Sequence, residues 1–189
     1  MIASIQKTLP LFIDGPNVDV VFGSSILRRK PLSHERPRWD RIVRVARGTY
    51  GVTEVHFVLN GDKFDDSRTP FYRFLRSIGC EVPTPKKAEW CKLDSDDPVD
   101  EYIRHHVRSL PKRIRLDEVD GVLLASHDGG YAPCLADLLD SGGFVGILGF
   151  REWFAPELIA LKAKGATLID LERDFGGFDG GLDRPDIAA

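Results

Sequence analysis

Residues 9–17, Leu-Pro-Leu-Phe-Ile-Asp-Gly-Pro-Asn, join an apolar run to a polar turn that opens on a carboxylate. Residues 121–130 repeat this design, because Gly-Val-Leu-Leu-Ala leads there into Ser-His-Asp-Gly-Gly. Short apolar runs that alternate with amphipathic stretches are typical of βα units and a mostly parallel sheet. Ligands of such sheets bind beyond the carboxyl ends of the strands, where we expect Asp14 and Asp128. The two stretches therefore predict a divalent-metal site at one edge of a sheet.

The composition indicates a soluble globular domain. The 189 residues suffice for one domain with an ordinary core, and 42% of them are hydrophobic. No apolar run approaches the roughly 20 residues of a membrane helix, so we expect no membrane partner. Residues 1–6 lack the pattern of a signal peptide. The three cysteines are widely spaced, which argues against a disulfide framework or a zinc knuckle and favours a cytoplasmic protein.

The hydrophobic pattern predicts an α/β fold of the three-layer, Rossmann-like class, with a mostly parallel central sheet and helices on both faces. Strands are expected near residues 9–14, 54–60, 80–83, 120–126, 144–149 and 166–170. Helices are expected over residues 39–49, 70–78, 98–110, 131–142 and 155–164, with a polar loop over residues 23–38. The Gly- and Asp-rich end has little to bury, so we predict a domain over residues 1–174 and a flexible tail over residues 175–189.

Acidic residues are expected to converge at the carboxyl edge of this sheet. The candidates are Asp14 after the first strand, Asp128 after the fourth, and Asp96, Asp97 or Asp100 at the start of a helix. Carboxylates gathered at one edge repel each other unless a cation joins them. Mg²⁺ and Mn²⁺ prefer such oxygen ligands. Asn17 is placed to orient Asp14 or a water bound to the ion.

Each of these signals also has a structural explanation. Asp14 to Asn17 consists of turn-forming residues, and aspartates such as Asp97, Asp100 and Asp128 often cap helices. Asp100 could also pair with Arg104 one turn later. His127 is a candidate general acid or phosphate contact, or else a structural histidine. Ser126 is a candidate hydrogen-bond donor to a ligand, or simply the end of its strand.

Positive charge is concentrated between residues 28 and 47, although the whole chain has a net charge of −3. A basic segment in a mildly acidic protein is a candidate for contact with a phosphate backbone, and it is also the usual appearance of a solvated helix face. The candidate nucleic-acid contacts are Arg28, Arg29, Lys30, Arg38, Arg41, Lys86 and Lys87.

Residues 12–17 and 122–131 resemble the two signatures of NYN domains, a branch of the PIN-like nucleases that includes the bacterial LabA-like proteins. The resemblance covers residues 9–175 and implies a five- or six-stranded parallel sheet. It also implies cleavage of phosphodiester bonds, usually in RNA, with Mg²⁺ or Mn²⁺ as cofactor. By this resemblance Asp14 and Asp128 match the metal-binding acids, Asn17 matches their companion asparagine, and Asp97 ranks ahead of Asp100 as the middle acid. Gly130 stands where many relatives carry a further acid.

The leading hypothesis is a metal-dependent ribonuclease in which Asp14, Asp97 and Asp128 bind the ion, with Asp100 as a further candidate ligand. One alternative is a non-catalytic RNA-binding or adaptor module with a degenerate metal site. Another is a phosphate-ester hydrolase with Asp14 as nucleophile, although Pro16 occupies the position of the second acid in Asp-x-Asp phosphatases. The sequence leaves open the RNA target, the number of ions and the oligomeric state, including a homodimer.

Overall fold

The structure, a computed structural model, describes residues 8–63, 69–93, 95–182 and 184. Five parallel strands form one sheet in the order β2-β1-β3-β4-β5. The strands are β1 (Leu9–Asp14), β2 (Val52–Val58), β3 (Gly121–Ala125), β4 (Phe144–Gly149) and β5 (Thr167–Asp170). Helices surround this sheet, which confirms the predicted three-layer α/β class.

The helices follow the strands in the alternation that the sequence predicts. They are α1 (Gly15–Val20), α2 (Trp39–Tyr50), α3 (Pro70–Ser77), α4 (Lys87–Trp90), α5 (Pro98–Arg115), α6 (Ala132–Asp140) and α7 (Pro156–Ala160). Short 3₁₀ turns lie at Ser33–Glu35, Gly129–Tyr131, Arg151–Trp153 and Leu161–Lys164. The side chain of Asp97 caps α5 by accepting a hydrogen bond from the backbone of Val99, as predicted for an aspartate before proline.

The core has two parts, one on each face of the sheet. One face packs against α2 and α3, and the other packs against α5, α6 and α7. Side chains alternate between the faces along a strand, so Ile13 belongs to the first part and Phe12 to the second. Asp14 has the same parity as Phe12, and it therefore belongs to the face that is covered by α5.

Three of the predicted elements differ from the structure. Residues 80–83 do not form a sixth strand, because Glu81 makes only one bridge to His56 of β2 and Pro83 has no N–H to continue the ladder. The predicted loop over residues 23–38 begins as helix, since α1 continues as a wider π-type helix over Val21–Ile26. Helix α5 continues past the expected end at Leu110 and contains Pro111.

The predicted end of the domain at residue 174 is wrong, because the residues directly after it pack against the domain. Phe175 and Phe178 are buried, and Phe178 packs against both Phe22 and Phe150. The guanidinium of Arg41 donates to the carbonyls of residues 176 and 178, at 2.7 and 2.9 Å. Residues 175–182 are thus part of the domain. The rest of the predicted tail, residues 183 and 185–189, lies outside the described residues, as do residues 1–7.

Among the residues that the structure describes, no helix has both the length and the apolar character that a membrane span requires.

Candidate functional site

The strand order places a crevice beyond the ends of β1 and β3. The chain leaves β1 toward β2 on one side, whereas β3, β4 and β5 lie on the other side. Ligands of open α/β sheets bind at such a change of direction. Asp14 is the last residue of β1, and Ser126 follows β3 directly. The sequence-based expectation that the two signatures meet at one edge is therefore confirmed.

Asp14 is buried at this edge, with 3% of its surface exposed. Its Oδ1 accepts a hydrogen bond from the backbone of Asn17 at 3.1 Å, and its Oδ2 accepts one from the Ser126 hydroxyl at 3.2 Å. Burial raises the pKa of Asp14 from 3.8 to about 7. The charge of Asp100 contributes to this rise, and the hydrogen bonds to the carboxylate oppose it. Asp14 therefore carries its charge near neutral pH only at a cost in free energy.

Tyr131 joins Asp14 to a second carboxylate. Its hydroxyl lies 3.0 Å from Asp14 Oδ2 and 2.8 Å from Asp100 Oδ1, and its ring is fully buried. A phenol has one proton to donate, so the second contact needs a proton on one of the two carboxylates. Burial and the two neighbouring carboxylates raise the pKa of Tyr131, which keeps the hydroxyl protonated. The Tyr131 hydroxyl thus connects two carboxyl groups that lie on different elements of the fold.

His127 connects the ends of β1, β3 and β4. Its Nε2 accepts the backbone N–H of Phe150 at 2.7 Å, and its Nδ1 lies 3.2 Å from the side-chain oxygen of Asn17. These contacts require a neutral ring with its proton on Nδ1. Burial lowers the pKa of His127 to about 4, in agreement with that tautomer. Since both ring nitrogens are engaged in the protein, the geometry favours the structural alternative for His127 over a general acid.

Asn17 differs from its predicted role. Its side-chain oxygen accepts a hydrogen bond from the backbone of His127 at 2.9 Å, and only its backbone N–H contacts Asp14. The amide therefore fixes the loop after β3 rather than the carboxylate. Gly15 is required beside it, because an added Cβ would lie 2.6 Å from the Phe57 ring and 3.0 Å from the carbonyl of Val58.

The structure brings Asp100, rather than Asp97, into contact with the Asp14 group. Asp97 is exposed and caps α5, and Asp96 accepts hydrogen bonds from the backbone of residues 92 and 93. Burial raises the pKa of Asp100, and the charges of Asp128 and Asp97 contribute in the same direction. Of these three acids, Asp100 is the one that shares a hydroxyl with Asp14.

Asp128 is a cap that faces the same edge. Its Oδ1 accepts the backbone N–H of Gly130 at 2.8 Å, and its own N–H donates to the Ser126 hydroxyl at 3.2 Å. Ser126 in turn donates to Asp14, so a chain of hydrogen bonds connects Asp14 to Asp128 through one hydroxyl. Ser126 thus follows the end of β3 and donates to Asp14, and its predicted hydrogen bond to a ligand stays a prediction.

The predicted basic contacts lie in different surroundings. Arg38 and Arg41 both pair with Asp179 and hold residues 176–179. Arg29 pairs with Glu35. Arg28 and Lys30 are exposed and line a shallow depression of about 620 Å³. Lys86 and Lys87 lie at the start of α4, where the backbone of Lys87 donates to Asp62.

Sequence reasoning missed Tyr131 and the position of Arg104. Tyr131 is 31 residues from Asp100, and no spacing rule relates the two. Arg104 pairs with Asp100 at 3.1 Å, which was foreseen as a helix pair, but its guanidinium also lies over the Tyr131 ring at 5.5 Å from the centroid. The only local signal was the i,i+4 spacing of Asp100 and Arg104.

The donor set is suitable for a hard cation with few protein ligands. Within residues 8–63, 69–93, 95–182 and 184, no three His, Cys, Asp or Glu side chains are grouped closely enough to hold a metal ion. Mg²⁺, however, is commonly held by one or two carboxylates and keeps several waters. Asp14 and Asp100 provide two carboxylate oxygens that already share one hydroxyl. The residues present therefore fit a two-carboxylate site.

Neither the family models nor the curated proteins nor the solved structures gave a match for this chain. The resemblance to NYN domains therefore stays a prediction, and any proposal for the function depends on the site itself.

Proposed function

We propose that the protein is a divalent-metal-dependent phosphodiesterase that acts on RNA. The observation that carries the proposal is the pair of buried carboxylates, Asp14 and Asp100, which share the Tyr131 hydroxyl at the carboxyl edge of β1 and β3. A buried acid whose pKa is raised to about 7 beside a second acid is an unfavourable arrangement for a purely structural role. A cation that binds both acids removes this cost.

In this proposal Asp14 and Asp100 hold the ion, and Asp128 lies beside them as a third carboxylate. A bound Mg²⁺ or Mn²⁺ would polarise a phosphate oxygen and lower the pKa of a water that attacks phosphorus. Ser126 keeps Asp14 oriented through its hydroxyl, and Asn17 with His127 fixes the loops that carry the acids. These residues preorganise the site without contact with the substrate.

RNA as the substrate is supported by two considerations. The resemblance to NYN domains implies it, and Arg28 and Lys30 are exposed after the helical residues 15–26, which Asp14 caps. Exposed basic side chains attract a phosphate backbone in a salt-dependent manner. We also propose a cytoplasmic location, since the three cysteines are unbridged and two of them are buried.

A second candidate function is a non-catalytic RNA-binding module. The observation that favours it is that the acids already have partners inside the protein: Arg104 pairs with Asp100, and Tyr131 bridges Asp100 to Asp14. A closed cluster of this kind is stable without an ion. Such a module would bind RNA with an affinity that falls with salt and would show no metal-dependent turnover.

The test is the cleavage of end-labelled single-stranded RNA, double-stranded RNA and single-stranded DNA in Mg²⁺, Mn²⁺ or EDTA. The variants are Asp14→Asn and Asp100→Asn. The matched control is Asp140→Asn, because Asp140 is exposed at the end of α6 and pairs only weakly with Lys164 at the surface. We expect metal-dependent cleavage of RNA that both site variants lose and the control keeps. Equal cleavage by all four proteins would contradict the proposal, and salt-dependent binding without cleavage would favour the second candidate.

A further inference from the structure

Arg104 lies inside the acidic cluster rather than on the solvent face of α5. Its side chain is 20% exposed, and its guanidinium donates to Asp100 Oδ2 at 3.1 Å and to Glu101 Oε1 at 2.7 Å. The same group lies over the ring of Tyr131, whose hydroxyl connects the two acids of the proposed metal site. Arg104 therefore adds a permanent positive charge beside the pair Asp14 and Asp100.

The position of this guanidinium relative to Asp128 follows from the geometry at Gly130. A Cβ atom added to Gly130 would lie 2.8 Å from Arg104 Nη2 and 3.3 Å from each carboxylate oxygen of Asp128. The guanidinium and the Asp128 carboxylate thus both lie within 3.3 Å of one point. Arg104 therefore lies close to Asp128 as well as in contact with Asp100 on its own helix.

An ordinary helix-surface ion pair does not account for this arrangement. Arg108 is one turn further along α5 and is exposed, as expected for a solvated arginine. Arg104 instead is largely removed from water, and its contacts extend from α5 to the turn that contains Gly130 and Tyr131. Removing a guanidinium from water is costly unless the acids around it need its charge. The acids that surround it are those of the proposed site.

We propose that the Arg104 guanidinium takes the place of a second cation, so that the site binds a single divalent ion. This inference rests on the proposed function, which assigns that ion to Asp14 and Asp100. An ion held by both Asp14 and Asp100 has two carboxylates to offset the charge of Arg104, whereas a second ion near Asp128 would meet that charge with one carboxylate. Gly130 provides the room that the guanidinium needs, because any side chain there would meet Arg104 Nη2 first.

The experiment counts the Mn²⁺ ions bound per chain, by equilibrium dialysis and by calorimetry, in the metal-stripped full chain at pH 8. The variants are Arg104→Met, Arg104→Lys and the double variant Arg104→Met/Gly130→Asp. The last of these removes the guanidinium and adds a carboxylate at the point that it flanks. Arg108→Met is the matched control, since it removes one positive charge from the same helix. Circular dichroism and thermal unfolding establish that each variant is folded.

We expect one ion per chain in the wild type, in Arg104→Lys and in the control, and two ions in the double variant. Arg104→Met should bind Mn²⁺ at least about tenfold more tightly than Arg108→Met, because the nearer positive charge is gone. Two ions in the wild type, or one in the double variant, would overturn the inference. If the wild type binds one ion and Arg104→Met behaves like Arg108→Met, the inference alone fails. If no protein in the series binds Mn²⁺, the proposed function fails with it.

Discussion

Replacing Asp14 by asparagine should make the protein more stable at alkaline pH, although it removes a residue of the proposed site. The asparagine side chain has the same shape, and its oxygen can still accept the hydrogen bond from the backbone of Asn17. Its amide group would face the Ser126 and Tyr131 hydroxyls, which now donate to the carboxylate. The substitution thus keeps the packing and removes the buried charge.

The magnitude follows from the pKa of Asp14, which is 3.8 for an ordinary aspartate and about 7 in the folded protein. One pKa unit corresponds to about 1.4 kcal/mol, so ionising the folded wild type above pH 7 costs about 4 kcal/mol relative to the unfolded chain. The folded state holds the proton more tightly, so the wild type loses this stability as pH rises from about 4 to about 7. Less favourable hydrogen bonding by the amide costs about 1 kcal/mol. Asp14→Asn should therefore be less stable by about 1 kcal/mol at pH 4 and more stable by about 3 kcal/mol at pH 9.

The assay is urea unfolding of both proteins in EDTA at a series of pH values between 4 and 9, followed by circular dichroism. Asp140→Asn serves as control, because it makes the same change at an exposed aspartate outside the site. Excess Mn²⁺ at pH 9 should stabilise the wild type and not Asp14→Asn, since the ion binds the folded site. A difference between Asp14→Asn and the wild type that is constant across the pH range would refute the reasoning.

Three further predictions concern the parts that support the site. Burial lowers the pKa of His127 to about 4 in the folded protein. As pH falls from about 6.5 to about 4, the wild type should therefore lose about 3 kcal/mol of stability. His127→Gln should not show this loss in urea unfolding at the same pH values. Phe178→Ala should destabilise by about 3 kcal/mol, measured by thermal unfolding, because it leaves a cavity beside Phe22 and Phe150. Arg41→Gln should expose residues 175–182 to limited proteolysis, because Arg41 donates to the carbonyls of residues 176 and 178. Its RNA affinity should equal that of the wild type. Lower RNA affinity with an unchanged proteolysis pattern would instead indicate that Arg41 contacts RNA.

The strand edge could be predicted from sequence because its signal is local. Strands that are buried on both faces are nearly continuous apolar runs, and β1 and β3 are of this kind. The polar residue that ends each run, Asp14 or Ser126, is then fixed at the edge. By contrast, residues 80–83 make only one bridge to β2, since Pro83 has no N–H with which to continue the ladder.

The partners of the site residues could not be predicted because they are distant in sequence. Asp97 and Asp100 both carry the signal of a helix start, and only the packing of α5 against the turn at Tyr131 distinguishes them. Arg38 is 141 residues from its partner Asp179. The local sequence of a basic helix face therefore does not distinguish a face exposed to solvent from one that binds residues 176–179. Phe175 and Phe178 were obscured by the many glycines and aspartates of residues 174–183.

The central claim is that Asp14 and Asp100 form one pocket for a cation. The most direct measurement is a crystal structure grown with Mn²⁺ above pH 8, with data collected at the manganese absorption edge. The account predicts one anomalous peak within ligand distance of both carboxylates, with the Tyr131 hydroxyl displaced from at least one of them. No peak at that position, with the hydroxyl still shared between the two carboxylates as it is now, would contradict the account.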